Sequence, residues 1–163
     1  MAELRNDRGA LRCALTLAGR AGPSGEGGGA GDAPLELLAT AAVEYLDGRD
    51  SEWWPLVRLP PLRLASAQIE VLLAGAAALL RGEGDGFAWR AGDEAPLALQ
   101  LGAAPGGAVV EVGLDLSGFL AEAAGAGGAP GGELALFRFR AAQADLVRFS
   151  DALAAELGAI RGS

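Results

Sequence analysis

Residues 109–116, with the sequence VVEVGLDL, show the alternation that decides the fold. Val110, Val112 and Leu114 fall on one face of this stretch, and Glu111 falls on the other. A period of two is typical of a strand with one face in the core and the other in solvent. The stretch therefore predicts an antiparallel sheet that is covered on one side.

The same alternation recurs on both sides of this stretch. Further predicted strands are residues 11–17, 35–46, 87–90, 97–101 and 134–140, with short or edge segments between 56 and 64, where two prolines limit pairing. The Ala, Leu and Glu content of residues 35–46 also suits a helix. The alternation favours a strand there, and the helix stays open as the alternative.

Two segments instead follow the spacing of an amphipathic helix. Residues 66–80 carry Ile69, Leu72 and Leu79 on one face, with Ser66 as the expected N-cap. Residues 143–160 place Leu, Phe and Ile at the same three-and-four spacing. The order of elements predicts an α+β fold, in which a curved antiparallel sheet, or a sandwich-like one, carries two packed helices.

The length of 163 residues predicts a single domain over 1–163. Two glycine-rich stretches, 19–34 and 121–132, are expected to be mobile surface loops, because glycine loses much entropy on ordering and buries little area. Residues 25–30 formally match a dinucleotide-binding fingerprint. No predicted helix follows them to face a pyrophosphate, so a loop is the favoured interpretation.

Composition excludes several kinds of chemistry. The chain has no histidine and no lysine, so an imidazole base, a Schiff base and a phosphate-loop lysine are all absent. The formal charge of -8 disfavours binding to nucleic acid and to an acidic membrane surface. With one cysteine and a charged start, the chain is expected to be cytoplasmic. We expect no catalytic residues, no cofactor and no metal ligands, and therefore not an enzyme.

Small groups of carboxylates keep a competing hypothesis open. Asp and Glu cluster at 47–52, 83–85 and 93–94, where they could hold a divalent metal or act as an acid/base pair. Each group adjoins a predicted glycine-bearing turn, in which Asp is favoured for its local backbone hydrogen bonds. Cys13 lies on the apolar face of its strand and is expected to be a buried structural thiol.

The adjacent Trp53 and Trp54 are the most conspicuous aromatic feature. Neighbouring residues of an extended segment face opposite sides, so we expect one ring to pack inward and the other to be able to anchor a partner. An acidic rim surrounds them in the sequence. The candidate partner-binding residues are Glu44, Asp47, Asp50, Glu52 and Trp54.

The layout resembles the WapI family of small immunity proteins that neutralise toxins. The resemblance lies in an acidic, glycine-bearing turn at 7–9 before a strand, then a strand and Asp-Gly turn at 43–48, and then the tryptophan pair. It continues with the leucine-containing lead at 62–66 into a helix, and with Phe87 before EAPL at 94–97, which has one inserted alanine. The resemblance implies a binding protein without enzymatic activity, and it assigns no contact residue.

Three hypotheses for function follow. The leading one is a non-enzymatic acidic interaction protein, with an immunity-type inhibitor of a basic, toxin-like protein as its narrower form, because opposite charge steers association. The second is a protein that binds a small ligand or a divalent metal, or an enzyme built on carboxylates. The third is a structural oligomer joined through the face of Phe137 and Phe139.

Overall fold

The protein is α+β in a computed structural model, as the sequence predicts. The structure describes residues 1–6, 9–20, 35–47, 50–59, 61–91, 97–115 and 133–162. Within these residues the strands form two separate antiparallel sheets, each followed along the chain by one helix. Both predicted glycine-rich loops fall almost entirely outside the described residues; only Gly19 and Arg20 are described, at the end of a strand.

The first sheet is built from the N-terminal part of the chain. Its strands are β1 (Ala2–Arg5), β2 (Leu11–Arg20), β3 (Leu35–Asp47), β4 (Asp50–Arg58) and β5 (Leu62–Leu64). Strands β1 to β4 lie side by side in chain order, and β5 pairs with the start of β3. Helix α1 (Ser66–Leu80) follows this sheet.

The second sheet has a simpler meander. Its strands are β6 (Gly86–Arg90), β7 (Leu97–Ala104), β8 (Gly107–Asp115) and β9 (Glu133–Ala142), paired in chain order. Helix α2 (Gln143–Gly162) follows directly after β9. The stretch that decided the fold is β8, at the centre of this sheet, where it pairs with β7 and β9.

The predicted strands and helices are confirmed, and residues 35–46 are a strand. Leu37 and Ala39 of β3 are buried while Leu38 between them is exposed, so the period of two prevailed over the helical composition. Strand β1 was not predicted. Its four residues alternate between buried Ala2 and Leu4 and the more exposed Glu3 and Arg5, a pattern too short to recognise in the sequence.

Ser66 is not the N-cap of α1, contrary to the prediction. Ala65 takes the extended cap conformation, and the side chain of Gln68 reaches back to accept a hydrogen bond from the Ala65 amide at 2.9 Å. Ser66 is instead the first helical residue, and its hydroxyl accepts a hydrogen bond from Arg161 at 3.2 Å. The N-cap residue therefore provides no side-chain oxygen to the first helical amides, and Gln68 at the third helical position binds the amide of the cap residue instead.

One cluster of buried apolar residues joins both sheets and both helices. Each helix packs mainly on the sheet that it does not directly follow in the chain. Helix α1 makes its main strand contacts with β6 and β7 of the second sheet, while α2 packs mainly on β1 and β2 of the first. The helices also pack on each other. As a result, each sheet has an inner face in the shared core, whereas β4 lies beyond the main contacts of both helices.

Candidate functional site

The predicted partner-binding residues all lie on the hairpin formed by β3 and β4. In its ladder Glu44 pairs with Trp53, Tyr45 with Glu52, and Asp47 with Asp50. Residues 48–49, between the two strands, lie outside the described residues. We call residues 44–56 the acidic hairpin.

The ladder divides these residues between two faces. Trp54 pairs with Val43 and lies two residues from Glu52, so these two positions share one face. Glu44 pairs with Trp53 and lies on the other. The structure therefore brings the five residues into one hairpin but not onto one surface.

Trp54 and Leu56 expose apolar area on β4. Their exposed fractions are 54% and 53%, high values for such large apolar side chains. Two features explain this exposure. Strand β4 is at the edge of the first sheet, outside the main contacts of the helices, and a bulge leaves Leu56 without a partner between Pro55 and Val57.

Trp53 does not pack inward, so the expectation that one of the pair joins the core is wrong. Its ring is half-buried on the solvent face of the first sheet, beneath two arginines. The guanidinium carbon of Arg12 lies 4.2 Å from the ring centroid and that of Arg5 lies 5.6 Å away, both within cation–π range. The tryptophan that is buried in the core is Trp89, which lies in β6.

Glu3 holds the two arginines in place. Its carboxylate accepts hydrogen bonds from Arg12 at 3.1 Å and from Arg5 at 3.0 and 2.8 Å. The sequence predicted the strand that carries Arg12, but it did not indicate Glu3 and Arg5, because β1 was not recognised. The alternation of Ala2 to Arg5 was the only signal, and β1 becomes evident once it pairs with β2.

The other carboxylate groups of the sequence do not form a site in the described residues. Glu83 accepts hydrogen bonds from Arg81, and this contact holds the pKa of that carboxyl below its usual range. Residues 92–96 lie outside the description. In the described parts of the chain, no three carboxylate or thiol side chains come together in a way that could hold a metal ion.

Two further expectations concern buried groups. Cys13 is buried, as predicted, and burial raises the pKa of its thiol to about 12. The phenylalanine face does not form an exposed patch: Phe139 is buried in the core, and Phe137 stacks on it with ring centroids 6.0 Å apart. The surface that the oligomer hypothesis needs is therefore used inside the molecule.

The described helices also bear on the membrane question. None of them combines the length and the apolar character needed to cross a bilayer.

Comparison of the chain with protein-family models, with characterised proteins and with solved structures finds no match.

Proposed function

We propose that this chain is a non-enzymatic interaction protein whose acidic hairpin docks on a basic protein partner. A cytoplasmic immunity-type inhibitor that neutralises a basic toxin is the narrower form of the proposal. The observation that carries it is the exposed apolar pair Trp54 and Leu56 on an edge strand, beside the carboxylate of Glu52.

The chemistry of the hairpin suits recognition of a cation-rich surface. Residues 44–56 contain four carboxylates and one arginine, within a chain of net charge -8. Such a field speeds the encounter with a basic protein, and its effect falls as salt is added. A tryptophan that becomes buried on binding then supplies apolar contact area at low entropic cost.

The edge of β4 adds main-chain groups to this surface. Among the described residues β3 is the only strand that pairs with β4, so the outer side of β4 offers hydrogen-bond donors and acceptors to a partner. Backbone pairing provides affinity, and the side chains of alternate residues provide specificity.

The test is affinity capture from the source cell at low and high salt. The wild-type protein is compared with Trp54→Ala and with a control variant, Val71→Thr, which alters another exposed apolar residue, on α1. We expect a basic protein to be retained by the wild type and by Val71→Thr, released at high salt, and bound at least about 30-fold more weakly by Trp54→Ala. Retention of no protein, or equal retention by Trp54→Ala, contradicts the proposal.

The narrower form is tested in a second step. The captured partner is expressed alone and together with the wild-type protein or with Trp54→Ala. We expect the partner alone to arrest growth, the wild type to restore it, and Trp54→Ala to restore it poorly. A partner without toxicity refutes the immunity role and leaves the docking proposal intact.

A further inference from the structure

A cleft of about 650 Å³ lies beside the acidic hairpin but is built from other elements. One wall comes from the first sheet, with Glu3 and Arg5 on β1 and Arg12 on β2. The rest of the lining comes mainly from helix α2, with Asp145 and Arg148 one turn apart. The volume is within the range of sites that bind small molecules.

The charges in this cleft are layered. The carboxylates of Glu3 and Asp145 are only 15% and 16% exposed, whereas Arg5 and Arg148, which they bind, are 47% and 74% exposed. Arg5 and Arg148 therefore lie nearer to solvent than the acidic groups that bind them, and Arg12, at 25% exposed, is intermediate. The lining side chains, three guanidiniums and two carboxylates, leave one positive charge in excess, within a chain whose net charge is -8. The amino group of Met1, which also lines the cleft, is ion-paired with Glu156.

The arginines on the sheet side are held in place before any ligand arrives. Glu3 anchors Arg5 and Arg12, and the Trp53 ring supports them from below. The bonds to Glu3 engage one nitrogen of Arg12 and two of Arg5, and each guanidinium carries five N–H donors. Donors that are already oriented lose less entropy on binding, which favours planar oxyanions such as carboxylates as well as phosphate groups.

We propose that this cleft binds a small polyanion, one bearing two or more phosphate or carboxylate groups, between Arg5 and Arg12 of the sheet and Arg148 of α2. One anionic group can contact Arg5 and Arg12 on the sheet side while another contacts Arg148. The protein as a whole repels anions, so the affinity has to come from direct contact with the guanidiniums, and an ion that reaches only one side of the cleft is expected to bind weakly. The site is separate from the exposed face of Trp54, so the proposal does not rest on the docking function.

The experiment titrates the intact protein with pyrophosphate and, separately, with citrate, at an ionic strength held constant with sodium chloride. Binding is followed by calorimetry and by tryptophan fluorescence, because Trp53 lies against Arg12. We expect saturable binding of at least one of the two anions, and which of them binds more tightly identifies a phosphate or a carboxylate ligand.

The variants are Arg12→Gln and Arg148→Gln, with Arg63→Gln on β5 as the matched control outside the cleft. We expect each cleft variant to weaken binding about tenfold or more, and Arg63→Gln to leave it unchanged. Arg148 is mostly exposed, so its replacement should leave the fold intact even if Arg12→Gln does not. The Trp53→Phe protein should lose most of the fluorescence change, which would assign that signal to the ring beneath Arg12.

Two results overturn the proposal: no saturation by either anion, or equal affinity in Arg148→Gln and the wild type. The protein Trp54→Ala should bind the anion as the wild type does. Loss of partner capture with intact anion binding, or the reverse, therefore tells which of the two proposals has failed.

Discussion

Replacing Gly107 with alanine should destabilise the second sheet, although glycine is a poor strand former. Gly107 begins β8 and pairs with Ala104 on one side and Ala142 on the other. A Cβ atom added there would lie 2.0 Å from the carbonyl oxygen of Ala141 and 3.0 Å from the Cα atom of Ala142. Both neighbours are backbone atoms of β9, so no side chain can rotate out of the way.

The size of the effect follows from this geometry. Ordinary contacts between nonbonded atoms are about 3.5 Å, so β8 and β9 must separate by about 1.5 Å. Overpacking of this kind costs about 1–3 kcal/mol. Alanine also restricts the unfolded chain and returns about 0.4–1 kcal/mol. The carbonyl of the preceding Gly106 accepts a hydrogen bond from Gln143 at 3.1 Å, so the displacement reaches the start of α2 as well.

The matched control is Gly102→Ala, on the neighbouring strand β7. A Cβ atom at Gly102 would meet its nearest neighbour, the carbonyl oxygen of Asp85, at 3.8 Å, an ordinary contact. We expect this variant to be neutral or up to about 1 kcal/mol more stable than the wild type. The two alanine variants therefore have the same change in composition and opposite expected signs.

Thermal unfolding followed by circular dichroism measures both variants. For a chain of this length, 1 kcal/mol corresponds to about 2–4 °C in Tm. Because the contact is with rigid backbone, the upper end of the overpacking cost applies, and about 3 kcal/mol less the 0.4–1 kcal/mol returned leaves about 2–2.6 kcal/mol for Gly107→Ala. This predicts a Tm about 4–10 °C below the wild type, with Gly102→Ala at or above it. Equal Tm values for the two variants would refute the argument from backbone contact.

Three core residues provide further tests. Cys13 should react with iodoacetamide at pH 8 at least about 1000-fold more slowly in the folded protein than in urea. The reason is that burial raises the pKa of its thiol from 9.0 to about 12, which removes nearly all of the reactive thiolate. Similar labelling rates in the two states would contradict this. The same raised pKa stabilises the fold fully below pH 9.0, and this contribution is lost as the pH rises toward 12. Leu153→Ala should cost about 2–5 kcal/mol in urea unfolding, since Leu153 is fully buried on α2, and alanine at the more exposed Val147 of the same helix should cost far less. Trp89→Phe should cost about 1–3 kcal/mol, since it removes the 2.7 Å bond from the indole Nε1 to the Gln68 carbonyl; an unfolding free energy equal to that of the wild type would mean that this bond contributes nothing.

Much of the fold could be predicted because the alternation of apolar and polar residues reports burial directly. Strands such as β8 and helices such as α2 carry their own inner and outer faces, so local sequence is sufficient to recognise them. Strand β1 escaped because four residues hold too few repeats of the pattern. The N-cap of α1 was misassigned by one residue because serine is a residue type that commonly caps helices, and only the extended backbone at Ala65 shows that Ser66 is already helical.

One of the two candidate sites could be predicted from the sequence and the other could not. The acidic hairpin was predicted as a set because its residues are neighbours in the chain, and strand pairing brought Glu44 opposite Trp53. The cleft could not be predicted. It joins Arg5 and Arg12 to Arg148, which lies more than a hundred residues away, and nothing in the local pattern of α2 says that it packs on the first sheet rather than on its own.

The sequence by itself determined which residues are apolar, where the helices and the longer strands form, and that the chain has neither imidazole nor lysine amine for chemistry. These properties belong to single residues and to their nearest neighbours, which is why they can be read along the chain. Only the tertiary structure decided that the strands divide into two sheets, that each helix packs on the opposite sheet, and that Trp53 is covered by arginines while Trp54 is exposed. Those outcomes depend on which surfaces bury each other across long separations, and this is a property of the whole packed core.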